Sequence, residues 1–167
     1  MKRLITILSL VIFLGLTFQA SAQSTANYAF SYATNGSLVD ISSGATIMLT
    51  GNNDDAATSV YDIGFTFVFM GVPYTQFSGN SNGQIRLGST VAAATYSGYT
   101  ASTAVLAPMS GDNEINNGMS FKVTGTAPNR VLVVEWNQFY VNYVNITNAG
   151  NMQALLYVHL TEILTLL

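Results

Sequence analysis

Ile63-Gly64-Phe65-Thr66-Phe67-Val68-Phe69 puts a large apolar side chain at every second position. Only an extended backbone gathers such residues on one face, because successive Cβ atoms of a strand point to opposite sides, whereas a helix scatters them around its circumference. The segment therefore reads as a strand with two unlike faces, its three phenylalanines directed into a core. The same period recurs from Asn27 onward, in segments dominated by the β-branched and aromatic residues that suit a pleated surface. Tyr28, Phe30 and Tyr32 share one face of a first strand. Ser37–Ile41 and Thr46–Leu49 follow, with Ser42-Ser43-Gly44 turning between them.

Turn chemistry divides the remainder. Met70-Gly71-Val72-Pro73 breaks the phenylalanine strand, since glycine tolerates positive φ and proline presets a turn, and Tyr74–Ser78 returns antiparallel. Asn82-Gly83 favours a two-residue type I′ turn and predicts a hairpin of Phe77–Ser81 with Gln84–Leu87. Gly88–Thr103 is a loop of small residues, and further strands are expected over Val105–Ala107, Met119–Val123, Arg130–Phe139 and Met152–Tyr157. In Arg130–Phe139, Val131 and Val133 face one way and Leu132, Val134 and Trp136 the other, the pattern of a central strand covered on both faces. Sustained helical spacing is absent before the last ten residues. About nine strands at short spacing predict an all-β fold, an antiparallel β-sandwich of jelly-roll or immunoglobulin-like type. An outer-membrane barrel is the competing all-β architecture, but its spanning strands need about 9–11 residues, and most runs here are shorter.

The N-terminus places the chain outside the cytoplasm. Lys2 and Arg3 precede an apolar run, Leu4–Phe18, and then Ala20-Ser21-Ala22, the three parts of a secretory signal peptide, expected to be cleaved before Gln23. The run is short for a membrane span, which needs about 20 residues, so no integral span is expected in the mature chain. Residues 23–157 then form one sandwich domain, with 158–167 as an atypical tail. A domain of this size buries about 68–70% of its unfolded surface, enough to fold without the disulfides that a chain lacking cysteine cannot make. Without the leader, Arg86, Lys122 and Arg130 stand against eight carboxylates, a net charge of −5. Three scattered cations cannot neutralise a phosphate backbone, which excludes nucleic acid as a partner.

Catalytic residues are not predicted. Nucleophilic mechanisms need a base held beside the nucleophile, and the chain has no cysteine and one histidine, His159, in the tail. Glu135 and Asp62 are the carboxylates nearest an interior. A glycosidase needs two such groups across a cleft, and a Glu135 satisfied by Arg130 or by a backbone amide is the simpler expectation. No organic cofactor is expected. Calcium takes several oxygen ligands, and two acidic loops offer them: Asp54 and Asp55 in Gly51–Asp55, and Asp112 and Glu114 in Asp112–Gly118. The second departs from the helix-loop-helix calcium template, because its glycine comes one residue late and its twelfth position is Val123. Solvated turn residues are the competing reading of both. Tyr96, Tyr99, Tyr140 and Tyr143, among asparagine-rich loops, are candidates for a ligand-binding platform for a glycan or a protein, with ordinary sandwich filling as the alternative.

Taken in order, Asp54-Asp55, Ile63–Phe67, Gly71 with Tyr74-Thr75, Ser81-Asn82-Gly83, Ala107-Pro108, Asp112 and Ala127–Val131 through Val134-Glu135-Trp136 form a recognisable pattern. It resembles the N-terminal β-sandwich region of large bacterial secreted and cell-surface proteins, often cargo of the type IX system, and more loosely the nidogen-like extracellular domains. The resemblance covers Tyr28–Tyr157 and implies a secreted, noncatalytic module for interaction or adhesion at the surface of a Gram-negative bacterium. The alternative it leaves is a carbohydrate-binding-like accessory domain of a larger secreted hydrolase. In that family a further strand closes the sheet. His159–Leu167 does not read as that strand, so an unpaired edge and a truncated or frameshifted C-terminus are expected.

Overall fold

The computed structural model describes residues 32–34, 36–96, 104–144, 147 and 149–158, and the backbone of 164–166. Among them the chain is all-β, with ten strands: β1 (Thr46–Leu49), β2 (Tyr61–Phe69), β3 (Val72–Gly79), β4 (Ile85–Leu87), β5 (Val105–Leu106), β6 (Glu114–Ile115), β7 (Met119–Thr124), β8 (Val131–Tyr140), β9 (Gly150–Tyr157) and β10 (Leu164–Leu166). They form two antiparallel sheets, one ordered β1-β7-β8-β9-β10 with β6 also on β8, the other β2-β3-β4-β5. Each is largely a meander of sequence neighbours. The exception is β1, which joins β7 through Thr46↔Phe121, Ile47↔Ser120 and Leu49↔Met119 after the chain has built the other sheet.

The inner faces of the two sheets make the core, which is the β-sandwich expected from the alternation. Ile63, Phe65 and Phe67 are buried while Asp62, Gly64, Thr66 and Val68 between them are exposed, and Phe69 is half-buried. Opposite them lie Leu132, Val134, Trp136, Met119 and Ile115 from the six-stranded sheet. Phe77 of β3 meets Phe121 of β7 edge to face, with centroids 5.2 Å apart and planes at 89°. Each such fully buried apolar side chain contributes about 1.5–3 kcal/mol relative to exposure. Strands β2, β3 and β9 run to 9, 8 and 8 residues, longer than the sequence pattern suggests, and β8 has the expected length of 10. What separates them from a barrel is therefore the pair of distinct sheets, each with its own edges.

β8 is covered on both faces, as its nearly continuous apolar run requires. Val133 and Leu155 on the outer face pack under Ile41, with Val39, Ala45, Val131 and Tyr157 around them. Ser37–Ile41, expected as a strand, is instead an extended strap outside any ladder. Its pairing partner is a side chain: buried Gln153 receives the Val39 N–H at 2.8 Å and donates to the Val39 carbonyl at 2.8 Å. An amide carries the same donor and acceptor as a peptide group, so a strap held this way leaves no repeating backbone bonds. Tyr32, placed by its spacing in a first strand, is exposed and outside the ladders. Tyr28 and Phe30, and the leader, lie outside the described residues.

Two turns differ from their expected form. The β2–β3 connection is Met70-Gly71 alone, with φ of 53° and 74°, the double positive pattern of a type I′ turn. Pro73 is already inside β3, opposite Val68. The Asn82-Gly83 hairpin forms, but Gly79 pairs with Ile85, leaving five residues in its tip. At the far end, β10 pairs with β9 through Leu164↔Leu156, Thr165↔Leu155 and Leu166↔Ala154. The β9 edge, expected to be open, is thus paired over three residues.

Candidate functional site

The tip of the β3–β4 hairpin is where the fold departs most from what turn chemistry predicts. Asn80, Ser81 and Asn82 are fully buried and Gln84 nearly so, although polar turn residues ordinarily sit in water. Burying uncompensated amides costs several kcal/mol, so every group must be bonded. Asn80 folds the tip on itself: its Oδ1 accepts from the Gln84 N–H at 2.9 Å and its own N–H donates to the Gln84 carbonyl at 3.1 Å. Its carbonyl accepts from Trp136 Nε1 at 2.8 Å, which ties the tip to the opposite sheet. Gly83 is irreplaceable there, with φ of 76° and a virtual Cβ 2.4 Å from the Met109 carbonyl oxygen.

The remaining bonds of the tip reach outward and hold four loops. Ser81 N–H donates to the Ala56 carbonyl at 2.9 Å, and its hydroxyl accepts from Ala56 N–H and donates to the Asp54 carbonyl. Asn82 Nδ2 donates to the Ala94 carbonyl at 3.0 Å and to Asp55 Oδ1 at 3.1 Å. Its Oδ1 accepts from the Asn113 N–H at 2.8 Å. Asn113 passes the chain of bonds on: its Oδ1 accepts from Asn142 N–H at 3.1 Å, and Tyr143 N–H donates to the Asp112 carbonyl at 3.0 Å. Thus the segments around residues 55, 94, 112 and 142 are all referenced to one buried turn.

This convergence unites the two acidic loops that lie nearly sixty residues apart in sequence. Carboxylate oxygens of Asp54, Asp55 and Asp112 all lie within 4.8 Å of one another, on exposed residues. Glu114, the fourth predicted ligand, is 9% exposed and sits at the start of β6. Although Asp54 is exposed, the surrounding loops remove part of its hydration. That burial, followed by the charges of Asp55, Asp112 and Glu114, holds its carboxyl above the ordinary 3.8. The folded chain therefore takes up this proton more readily than the unfolded chain. Ionised Asp54 opposes folding at pH above its folded pKa, and that penalty shrinks as the pH falls through the folded pKa and is gone below the unfolded value. An NMR titration is expected to place the Asp54 midpoint above 3.8, and Asp112→Asn is expected to lower it.

Of the four tyrosines, Tyr143 is exposed beside Asp112, and Tyr96 is exposed two residues beyond the tethered Ala94. Tyr140 ends β8 half-buried, with its Cα opposite that of Glu114. Tyr99 and His159 lie outside the described residues. The sequence pattern missed Val141 and Val144, at 62% and 71% exposure. With Tyr143 they form the rim of a shallow groove whose other wall is Gly111–Asn113. The signal for the hub was present as Asn80-Ser81-Asn82-Gly83-Gln84, which holds more hydrogen-bonding side chains than a two-residue turn can use.

The carboxylates considered for catalysis are separated by the fold. Asp62 is on β2, exposed, accepting from Gln76 Nε2 at 3.2 Å. Glu135 is on the outer face of the other sheet, and its Oε2 accepts from Gln153 Nε2 at 2.7 Å. The expected partner, Arg130, instead donates to the Gly64 carbonyl at 2.6 Å and lies over the Phe65 ring. Asp40 shares a surface groove with Glu135, but the Ser42 hydroxyl and N–H hold its carboxyl below the ordinary value. An acid kept ionised in this way is the opposite of a proton donor.

A family model described as NIDO related matches residues 27–164. The chain belongs to the NIDO-related family. No curated protein and no solved structure matches it. The match spans both sheets of this NIDO-related domain, including the hairpin tip and the acidic loops, and supports the nidogen-like part of the resemblance drawn from its motifs. An extracellular, noncatalytic type of module fits that membership. Among the described residues no helix is long and apolar enough to cross a membrane.

Proposed function

We propose that this NIDO-related domain is an exported, noncatalytic adhesion module that binds a protein partner through the loops gathered on the Asn80–Gln84 tip. Residues 1–22 direct export and are removed, 23–157 are the binding domain, and the mature chain acts at the surface of a Gram-negative bacterium as cargo of the type IX kind. The observation that carries the reading is the exposure of Val141, Tyr143 and Val144 near an acidic trio, on loops tied to the tip by hydrogen bonds through Asn113. Apolar groups held out in water and rimmed by charge are characteristic of protein-binding surfaces. Two aliphatic side chains around one tyrosine favour a protein over a sugar, which stacks on aromatic faces. The negative rim favours a partner with a basic patch.

Biolayer interferometry against a panel of extracellular matrix and bacterial surface proteins, run beside a glycan array, tests this. Protein binding weakened at least about tenfold by Val141→Ser with Val144→Ser, a loss of the hot-spot kind, is the expected result. Recognition of glycans alone would overturn it in favour of a carbohydrate-binding accessory role. Polysaccharide hydrolysis lost in Glu135→Gln would overturn the noncatalytic reading. N-terminal sequencing of secreted protein is expected to begin at Gln23.

A further inference from the structure

We propose that the cleft between the strap and β1, on the outer face of the six-stranded sheet, binds a primary alkylammonium group with Glu135 as its counter-ion. This goes beyond the partner-binding reading and stands without it, since none of Val141, Tyr143 and Val144 lines the cleft. Strand register builds the floor. Ile47 lies opposite Ser120, Ser120 opposite Glu135 and Glu135 opposite Gln153, so the four side chains form one row across β1, β7, β8 and β9 on a single face. The strap crosses the Gln153 end of that row, where Ile41 packs on Val133 and Leu155. Past the strap the row continues into a cleft of about 610 Å³, with Ser120, Glu135 and Asn137 in its lining. Leu38 of the strap, 41% exposed, and Ile47 of β1, 65% exposed, also line it. Small-ligand sites span about 300–1,000 Å³.

Glu135 is fixed in place before any ligand arrives. Its Oε2 accepts from Gln153 Nε2 at 2.7 Å, and the Gln153 amide is itself locked by both backbone groups of Val39. Such prior ordering lowers the cost of binding. Oε1 of Glu135, the Ser120 hydroxyl and the Asn137 amide make no hydrogen bond among the described residues. The charged residues of the lining are both carboxylates, Asp40 and Glu135. Lys122, two residues along β7 from Ser120, donates to the Ser43 carbonyl at 2.6 Å, so neither carboxylate has an ion-pair partner among the described residues. The Ser42 hydroxyl and N–H keep Asp40 ionised. A negative cleft with aliphatic sides suits a cation on a methylene stem, as lysine carries. The lining has no aromatic ring on which a sugar could stack. Because Gln153 occupies Oε2, Glu135 lacks the two free parallel oxygens that match a guanidinium fork, which favours the point charge of an ammonium.

An NMR titration with Nα-acetyl-lysine methylamide tests the cleft. Amides of Ile47, Ser120, Glu135 and Asn137 are expected to shift together and saturate with a Kd of about 1–10 mM, the range open to so small a ligand. Glu135→Gln keeps an acceptor for Gln153 and is expected to retain its far-ultraviolet circular dichroism while binding at least about fivefold more weakly. The Nε-acetylated derivative, which has lost its charge, is expected to give no saturable shift. Butylammonium separates the two sources of the group: a Kd at least about threefold weaker than that of the lysine derivative assigns a polypeptide lysine, and an equal one assigns a free amine. No saturable shift with either amine, shifts confined to Asp54, Asp55 and Asp112, or an affinity unchanged in Glu135→Gln would each overturn the assignment. The loop surface around Val141 takes no part in this titration, so its failure leaves the protein-binding reading standing.

Discussion

Trp136→Ala is expected to be the most damaging single truncation in the core. Trp136 is fully buried in β8 and spans from the six-stranded sheet to the hairpin tip of the other. Removing a buried tryptophan side chain costs about 3–5 kcal/mol through lost burial and the cavity left behind. The Asn80 carbonyl, itself buried, would also lose its donor, adding about 1–3 kcal/mol. Set against a total stability of about 5–15 kcal/mol, the variant is expected to be largely unfolded at modest urea concentrations. Trp136→Phe separates the two contributions: it keeps most of the apolar volume but has no N–H, so its deficit reports mainly the bond to Asn80. Urea melts followed by far-ultraviolet circular dichroism measure both. A midpoint for Trp136→Ala close to that of the unaltered protein would contradict the packing described.

Asn82→Ala is expected to have the largest effect on the loop end. The side chain is fully buried and joins three segments, accepting from Asn113 N–H and donating to Asp55 and to the Ala94 carbonyl. Truncation orphans the buried Asn113 N–H, worth about 1–3 kcal/mol, and removes the donor of the part-buried Ala94 carbonyl. A loss of about 2–4 kcal/mol is expected, together with broadening of resonances from residues near 55, 94 and 113. Asn82→Asp is expected to be worse than alanine despite its closer shape. It keeps the acceptor for Asn113 but sets an anion against Asp55 in a buried site. Stability equal to the unaltered protein in both would remove the hub from the account.

Much of the sheet architecture was legible because period two is a property of the sequence itself. Ile63–Phe69 and Val131–Trp136 show their buried faces directly, and the structure follows them residue by residue. Ser37–Ile41 misled because its partner is the Gln153 amide rather than a strand, and nothing in its own spacing records which ladder it lacks. At Asn82-Gly83 the local turn preference competed with a network of long-range bonds, and the network prevailed. Asn82 keeps ordinary φ, and its side chain is worth more bonded inside than a tighter turn would be. Asp54, Asp55 and Asp112 were visible as acidic loop residues, but their meeting was not. Two loops of unremarkable composition become one cluster only through contacts with the tip, between residues 25 to 31 apart in sequence.

Native-state hydrogen exchange at the Asn113 amide tests the central claim most directly, because its acceptor is the side chain of a turn residue. A buried tip predicts protection of Asn113 and of the Gln84 amide approaching that of the β8 core strand, with Asn113 protection lost in Asn82→Ala. Exchange of both amides at the rate of a solvated loop, in an otherwise protected sandwich, would contradict it.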